Sequence, residues 1–107
     1  MAQLIRAKFA PLQSKAFGDI TGAYSLMATL ANATVVYYVQ NLTNATMTFS
    51  VDGVTDNFIL PSMGFTLIDL GANKGLQNQL AMAEGDTLYV KGVATSGSVY
   101  LSTVYMG

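Results

Sequence analysis

The chain has 107 residues, a formal net charge of -1 and no Cys, His or Trp. Its length fits one domain, and charged residues make up only 10% of it, against an average of about 25%. The missing residue types exclude disulfide scaffolds, thiolate metal sites and mechanisms that use His or Cys as base or nucleophile. Only five cations are present, which argues against binding of nucleic acid through a basic patch.

Hydrophobic residues make up 51% of the chain, more than one small core needs. With so few charges, the surface must consist largely of Thr, Ser, Asn, Gln, Gly and Tyr. A neutral surface of this kind repels other copies of the chain weakly. The composition therefore predicts a component of an assembly, and we expect a homo-oligomer, with a trimer favoured.

A charge-free region extends from Asp19 to Asp52, and residues 23–39 are its most apolar part. This stretch is shorter than the roughly 20 residues of a membrane-spanning helix and contains several polar residues. Its second half is β-branched and aromatic, which favours strand. It therefore predicts two buried strands and no membrane partner. The N-terminus has no apolar run of signal-peptide length, so no secretion signal is predicted.

In chain order, residues 1–19 are predicted to form an N-terminal arm or first strand, and residues 20–107 a single β-sandwich domain. Alternation of apolar and polar residues with period two dominates the second region. In its clearest instance, Met47, Phe49 and Val51 are predicted to share a buried face. The predicted strands are residues 26–30, 35–40, 46–52, 58–60, 65–70, 87–93 and 98–105. Short strands at this spacing predict an all-β fold, a sandwich or a small barrel, and we expect an antiparallel sandwich of about seven or eight strands.

The connections are rich in residues that favour turns. Pro61 and Gly64 predict a hairpin turn between residues 58–60 and 65–70. The pattern LQNQLAMA at residues 76–83 predicts one short helix, because its leucines share a face.

Two pairs of carboxylates are candidate sites. Asp52 and Asp56 flank the loop DGVTD and could supply oxygens to Ca²⁺, but their spacing differs from that of an EF-hand. The preferred interpretation is that Asp52 bonds to its own backbone and Asp56 caps the loop. Glu84 and Asp86 are interpreted in the same way. With no catalytic motif present, we expect no catalytic residue, no metal, no cofactor and no enzymatic activity.

Tyrosines are the candidate interface residues, because Tyr combines an apolar body with a polar tip. The candidates are Tyr37, Tyr38, Tyr100 and Tyr105. Tyr37 and Tyr38 are adjacent in a predicted strand, so one should be buried and the other displayed. Stacking on a sugar ring is the other interpretation of these residues.

Three N-x-T sequences begin at Asn32, Asn41 and Asn44. Each could mark a glycosylation acceptor in an exported protein. Because no secretion signal is predicted, they are interpreted as a coincidence of a turn region rich in Asn and Thr.

Three segments together resemble small structural proteins of tailed bacteriophages. They are VQNLTNATMTFSVDGVTDNFILPSMGFTLIDLGANKG at residues 39–75, GDTLYVKG at 85–92 and GSVYLSTVYMG at 97–107. The resemblance is a pattern of strands and turns over most of the chain, and it assigns no functional residue. It implies a β-sandwich or jelly-roll module, so we expect the sandwich to have a jelly-roll-like or related topology. Such modules act in the virion as capsid cement, as decoration proteins, or as neck, tail or fibre parts.

The resemblance and the low charge predict a non-enzymatic virion structural protein. Its expected role is that of a capsid cement or decoration protein that bridges and stabilises major capsid subunits. Expected partners are other virion proteins, the major capsid protein first, and neither nucleic acid nor membrane. Expected locations are the capsid or head–tail region, after synthesis in the host cytoplasm. Two alternatives stay open, a neck or tail component (head–tail joining or fibre) and a receptor- or glycan-binding module.

Overall fold

A computed structural model describes residues 7–69 and 82–106 of the chain. Within these ranges lie nine strands: β1 (Ala7–Phe9), β2 (Gln13–Ala16), β3 (Ser25–Thr29), β4 (Thr34–Asn41), β5 (Met47–Ser50), β6 (Phe58–Leu60), β7 (Phe65–Asp69), β8 (Thr87–Lys91) and β9 (Ser98–Met106). One turn of 3-10 helix, Phe17–Asp19, follows β2. The strands form two antiparallel sheets around one core, which confirms the predicted all-β sandwich.

The strand order is that of a jelly roll. Sheet A has the order β1–β9–β4–β7. Strands β1 and β2 share one edge of β9: β2 pairs with the first half of β9 and β1 with its second half. Sheet B has the order β3–β8–β5–β6. With β1 and β2 counted as one position, the eight positions give the first–eighth–third–sixth and second–seventh–fourth–fifth orders of two interleaved Greek keys.

The core lies between the sheets and follows the alternation of the strands. Val39, Leu88, Val90, Val99 and Leu101 point inward from β4, β8 and β9 and are fully buried. The other buried apolar residues are Ile20, Met27, Ala28, Leu30, Tyr37, Met47, Phe49 and Leu60. Burying each large apolar side chain stabilises the fold by about 1.5–3 kcal/mol, so these positions define which face of each strand is inside.

A network of buried polar groups closes one end of the sandwich. The Asn41 amide nitrogen donates to the carbonyl oxygens of Ala45, Leu60 and Pro61, at 2.8, 3.0 and 3.1 Å. The Asn41 side-chain oxygen accepts from the Thr43 N–H at 3.0 Å and the Thr43 hydroxyl at 2.6 Å. Both residues are fully buried, so this N-x-T sequence has a structural role and its Asn is inaccessible.

Two details of the predicted strands are wrong. Val51 is exposed, because β5 ends at Ser50, whose hydroxyl donates to the Asp52 carboxylate and starts the next loop. The Pro61–Gly64 segment does form a tight turn, with the Gly64 N–H donating to the Pro61 carbonyl oxygen at 2.9 Å. It does not form a hairpin, since β6 pairs with β5 in sheet B and β7 pairs with β4 in sheet A.

Most of the predicted helix at residues 76–83 lies outside the described residues. Met82 is described, and it forms an antiparallel bridge with Thr34. The predicted N-terminal region contains β1, β2 and the 3-10 turn, and its residues 1–6 also lie outside the described part. Within the described ranges, no helix has the length and hydropathy needed to cross a membrane.

Candidate interaction surface

The outer face of sheet A is an apolar surface, and three rows of residues aligned across the strands form it. One row across the sheet contains Phe9, Val104 and Val36, and the next contains Ser102, Tyr38 and Leu67. The third row contains Ser14, Tyr100, Gln40 and Phe65. We define the A face as the apolar and aromatic members of these rows together with the serine between them: Phe9, Val36, Tyr38, Phe65, Leu67, Tyr100, Ser102 and Val104.

Large apolar side chains on the A face are open to solvent. Phe9 is 84% exposed, Phe65 63% and Leu67 58%. A shallow groove of about 320 Å³ crosses the face and is lined by Phe9, Val36, Tyr38, Leu67, Ser102 and Val104. The rings of Tyr38 and Phe65 meet edge to face, with centroids 5.6 Å apart. The strands of sheet A are therefore apolar on both faces, although only the inner face packs against sheet B.

The A face carries almost no charge. None of its members has a charge at neutral pH, and the acidic residue Asp69 borders the face at a corner opposite Val36. An apolar patch of this kind, rimmed by polar residues, is typical of an interaction site.

The outer face of sheet B differs, because the loop of residues 51–57 folds back over part of it. A Cβ placed on Gly53 would lie 3.4 Å from the Tyr89 ring, so this loop packs directly on the sheet. Lys91 forms an ion pair with Asp56 at 3.3 Å, and its ammonium lies 4.6 Å from the centroid of the Tyr24 ring. The Tyr24 hydroxyl donates to the same carboxylate. The loop therefore covers the part of sheet B around Tyr89, while Leu26 and Ile59 on the same outer face stay 48% and 61% exposed.

The carboxylates of this loop bond to the loop itself. Asp52 accepts hydrogen bonds from the N–H groups of Thr55 and Val54 at 2.7 and 2.8 Å, and these bonds hold the pKa of Asp52 well below its ordinary value. The Tyr24 hydroxyl, and then Lys91, lower the pKa of Asp56. Partial burial, and then the hydrogen bond and charge of Asp56, raise the pKa of Tyr24 to about 12.

No metal site is built from these groups in the part of the chain that the structure describes. No three acidic side chains there come close enough to hold an ion together. The Asp86 carboxylate accepts a hydrogen bond from the backbone N–H of Ala83 at 3.0 Å. This bond stabilises the turn, as the sequence analysis predicts for Asp86.

The structure divides the four predicted tyrosines between the two faces of sheet A. Tyr38 and Tyr100 belong to the A face. Tyr37 points between the sheets and is only 4% exposed, so it takes no part in a contact made by that face. Tyr105 shares the inward register of Tyr37, and it is half-buried near the end of β9.

The phase of the strands decides which tyrosine is displayed. Because Val39 and Tyr37 alternate on the core side of β4, Val36 and Tyr38 are left outside. Sequence analysis missed Phe9, Phe65 and Leu67. The sequence does contain a sign of these residues: β4, β7 and β9 have apolar residues on both faces. A strand with one face in solvent needs apolar residues on its buried face only.

A cavity of about 300 Å³ opens between the sheets at the end opposite the Asn41 network. Tyr37, Leu30, Leu88 and Leu101 line its interior, and Asp86 lies on its lining at the turn before β8. Burial, and then the charge of Asp86, raise the pKa of Tyr37 well above its ordinary value. The Tyr37 hydroxyl therefore stays protonated at neutral pH.

Comparisons with known proteins add little. No protein-family model matches the chain, and no curated protein matches it. A solved structure of a Bacillus endospore appendage, described as belonging to a novel family of disulfide-linked pili, is similar over 94% of this chain and 87% of that chain. Its TM-score is 0.45 and its sequence identity 12%, a likeness that carries no argument about function.

Proposed function

We propose that this chain is a non-enzymatic structural protein of a virus particle, a capsid cement or decoration protein that adheres to major capsid subunits through the A face. The observation that carries the proposal is the uncovered apolar surface of sheet A. The resemblance to small structural proteins of tailed phages supports the choice of partner, and jelly rolls are common in viral capsids.

The A face suits adhesion that is repeated over a lattice. Four strands about 4.8 Å apart and five residues about 3.4 Å apart give a face of roughly 300 Å² in plan. That is small beside the roughly 800 Å² per partner of a standard stable complex, so one contact through this face alone is weak. Copies that also contact one another on a capsid gain from simultaneous binding, and the many weak contacts then hold together.

The low charge of the face determines the salt response. Without ion pairs to screen, adhesion by the A face depends little on ionic strength. We therefore expect binding to capsid shells to survive a change from about 0.05 M to about 0.5 M salt, where the Debye length falls severalfold.

The test is sedimentation of the purified chain with shells of the major capsid protein from the same genome. We expect Phe9→Lys, at the most exposed apolar position of the A face, to weaken binding about tenfold or more, equivalent to about 1.4 kcal/mol. Val54→Lys is the matched control. Val54 is 81% exposed in the loop over sheet B, so its substitution adds the same charge at similar exposure.

Equal loss of binding by both variants would show a non-specific effect of charge and contradict the role of the A face. A chain that never sediments with the shells would contradict the capsid role itself. Binding to isolated tails or necks in place of shells would favour the alternative location in the particle.

A further inference from the structure

The two sheets have four edges, and among the described residues the β7 edge is the one without the usual protection. Natural sheets protect edges with charged side chains, Pro, short strands or covering segments. The β3 edge is covered, since Lys15 Nζ and Gln13 Nε2 donate to the carbonyl oxygens of Leu26 and Thr29 at 3.1 and 3.4 Å. The opposite edge of sheet A is split into β1 and β2 around Pro11, and β6 has three residues followed by Pro61.

Strand β7 lacks these devices from Phe65 to Ile68. It has five residues, FTLID, with no Pro, Gly or Lys, and its only charge is on its last residue. In the described part of the chain it pairs with β4 alone.

The hydrogen-bond pattern shows which groups of β7 point away from the sheet. The Asn41 N–H donates to the Gly64 carbonyl oxygen across the β4–β7 pair. In an antiparallel pair this direction alternates along the strand, so Thr66 and Ile68 pair with β4. The N–H and C=O groups of Phe65 and Leu67 therefore point outward, and no described residue bonds to them.

We propose that β7 pairs with β7 of a second copy of this chain, antiparallel about a two-fold axis at Thr66, so that sheet A continues across the two copies. This register places Phe65 opposite Leu67 of the other copy, twice. Each of these pairs exchanges two hydrogen bonds, so the outward groups of both residues are satisfied in both copies. The inference does not depend on the capsid role.

Side chains favour this register over its neighbour. On the outer face it makes two Phe65–Leu67 cross-strand contacts, and on the inner face it sets Thr66 against Thr66, both favourable kinds of pair. A register centred on Leu67 would instead set Phe65 opposite Asp69. With the axis at Thr66, the two copies of Asp69 lie six residues apart along the strands, about 20 Å. That exceeds the Debye length of about 8 Å at physiological salt, so they repel little.

A five-residue edge about 17 Å long buries much less than a standard interface, so the dimer is weak. We expect a dissociation constant of roughly 0.1–1 mM, a range in which self-association appears only at high concentration. A lattice or a filament would supply such concentrations locally.

The test is amide hydrogen exchange of the full chain followed by NMR at about 0.05 mM and about 2 mM, concentrations on either side of the expected dissociation constant. The N–H groups of Phe65 and Leu67 should become protected severalfold at the higher concentration. Those of Thr66 and Ile68 should not change, because β4 already protects them. They are internal controls within the same strand.

A proline variant gives a second readout. Leu67→Pro removes an outward N–H to which no described residue of the same copy bonds, so the fold should persist while the dimer is lost. Leu67→Ala truncates the same side chain but keeps that N–H, so it should retain measurable self-association in analytical ultracentrifugation.

Two results would overturn the proposal. One is a chain that stays monomeric, with unchanged exchange of Phe65 and Leu67, at the higher concentration. The other is a dimer whose formation leaves these two amides unprotected, since its interface would then lie elsewhere. If Leu67→Pro does not fold, the exchange pattern of the unmodified chain still decides between these outcomes.

Discussion

At the scale of single residues, Asn41 shows how a polar side chain can organise an all-β fold. Its amide bonds to three backbone carbonyls and to Thr43, all at the point where β4 leaves sheet A. The N-x-T pattern at Asn41 was interpreted as a coincidence of a turn region, and no feature of a single sequence distinguishes a buried Asn of this kind from an exposed one.

We predict that Asn41→Ala lowers the free energy of unfolding by about 3 kcal/mol or more, because several buried polar groups lose their partner at once. Urea denaturation measures this change. Asn44→Ala is the control, since Asn44 is exposed and bonds to Thr95 and Ser96 in a loop. That variant should lose only about 1 kcal/mol. Equal losses would contradict the structural role of Asn41.

The Asp52 turn makes stability depend on acid. Its folded pKa lies below the ordinary value of 3.8, so the ionised form is favoured in the folded state. This stabilisation is present above the unfolded pKa, and it disappears as the pH falls below about 3.8 through the folded pKa. We predict that unfolding free energy, followed by urea denaturation, decreases over this range.

The variant Asp52→Asn should show a flatter acid dependence than the natural chain. Asp56 is shifted in the same direction by Tyr24 and Lys91, so part of the slope should remain. An unchanged slope would show that the Asp52 carboxylate does not contribute to it.

At the scale of elements, alternation located most of the strands but not their partners. The prediction at Pro61–Gly64 was a hairpin, because turn residues between two strands are the usual signature of one. The jelly-roll order instead sends β6 and β7 to different sheets, and this choice depends on long-range pairing that no local pattern encodes. Strand β2 was missed as a separate element because Pro11 and a polar sequence obscure its period.

The importance of a glycine also depends on long-range contacts, as Gly97 near the Asn41 network and Gly85 at the opposite end show. Gly97 and Gly85 have nearly the same positive φ, +93° and +92°. A Cβ on Gly97 would overlap the Leu42 carbonyl oxygen and lie 2.7 Å from the Thr43 Cα, whereas a Cβ on Gly85 would meet nothing within 4 Å.

We predict that Gly97→Ala lowers the free energy of unfolding by at least about 3 kcal/mol, or prevents folding, because backbone must move to admit the methyl group. Gly85→Ala should lose only the cost of its φ, about 1–2 kcal/mol. Thermal or urea denaturation compares the two. Similar losses would show that the Leu42 contact is unimportant.

At the scale of the whole molecule, the two outer faces differ. The loop at residues 51–57 covers the Tyr89 part of sheet B and leaves Leu26 and Ile59 exposed, whereas the large apolar side chains of the A face are exposed along the whole sheet. Composition predicted an excess of apolar surface and an assembly. It could not place that surface, because the phase of β4 relative to the core decides whether Tyr37 or Tyr38 is displayed, and that phase is fixed by packing against sheet B.

The central claim is that this chain is a repeated structural component of a virus particle. Quantitative mass spectrometry of purified particles from the source, with the copy number expressed per major capsid subunit, tests it most directly. The cement role predicts a ratio near one or a simple fraction of it, as lattice symmetry requires. A ratio of a few copies per particle would move the chain to the neck or tail. Its complete absence from particles would contradict the claim.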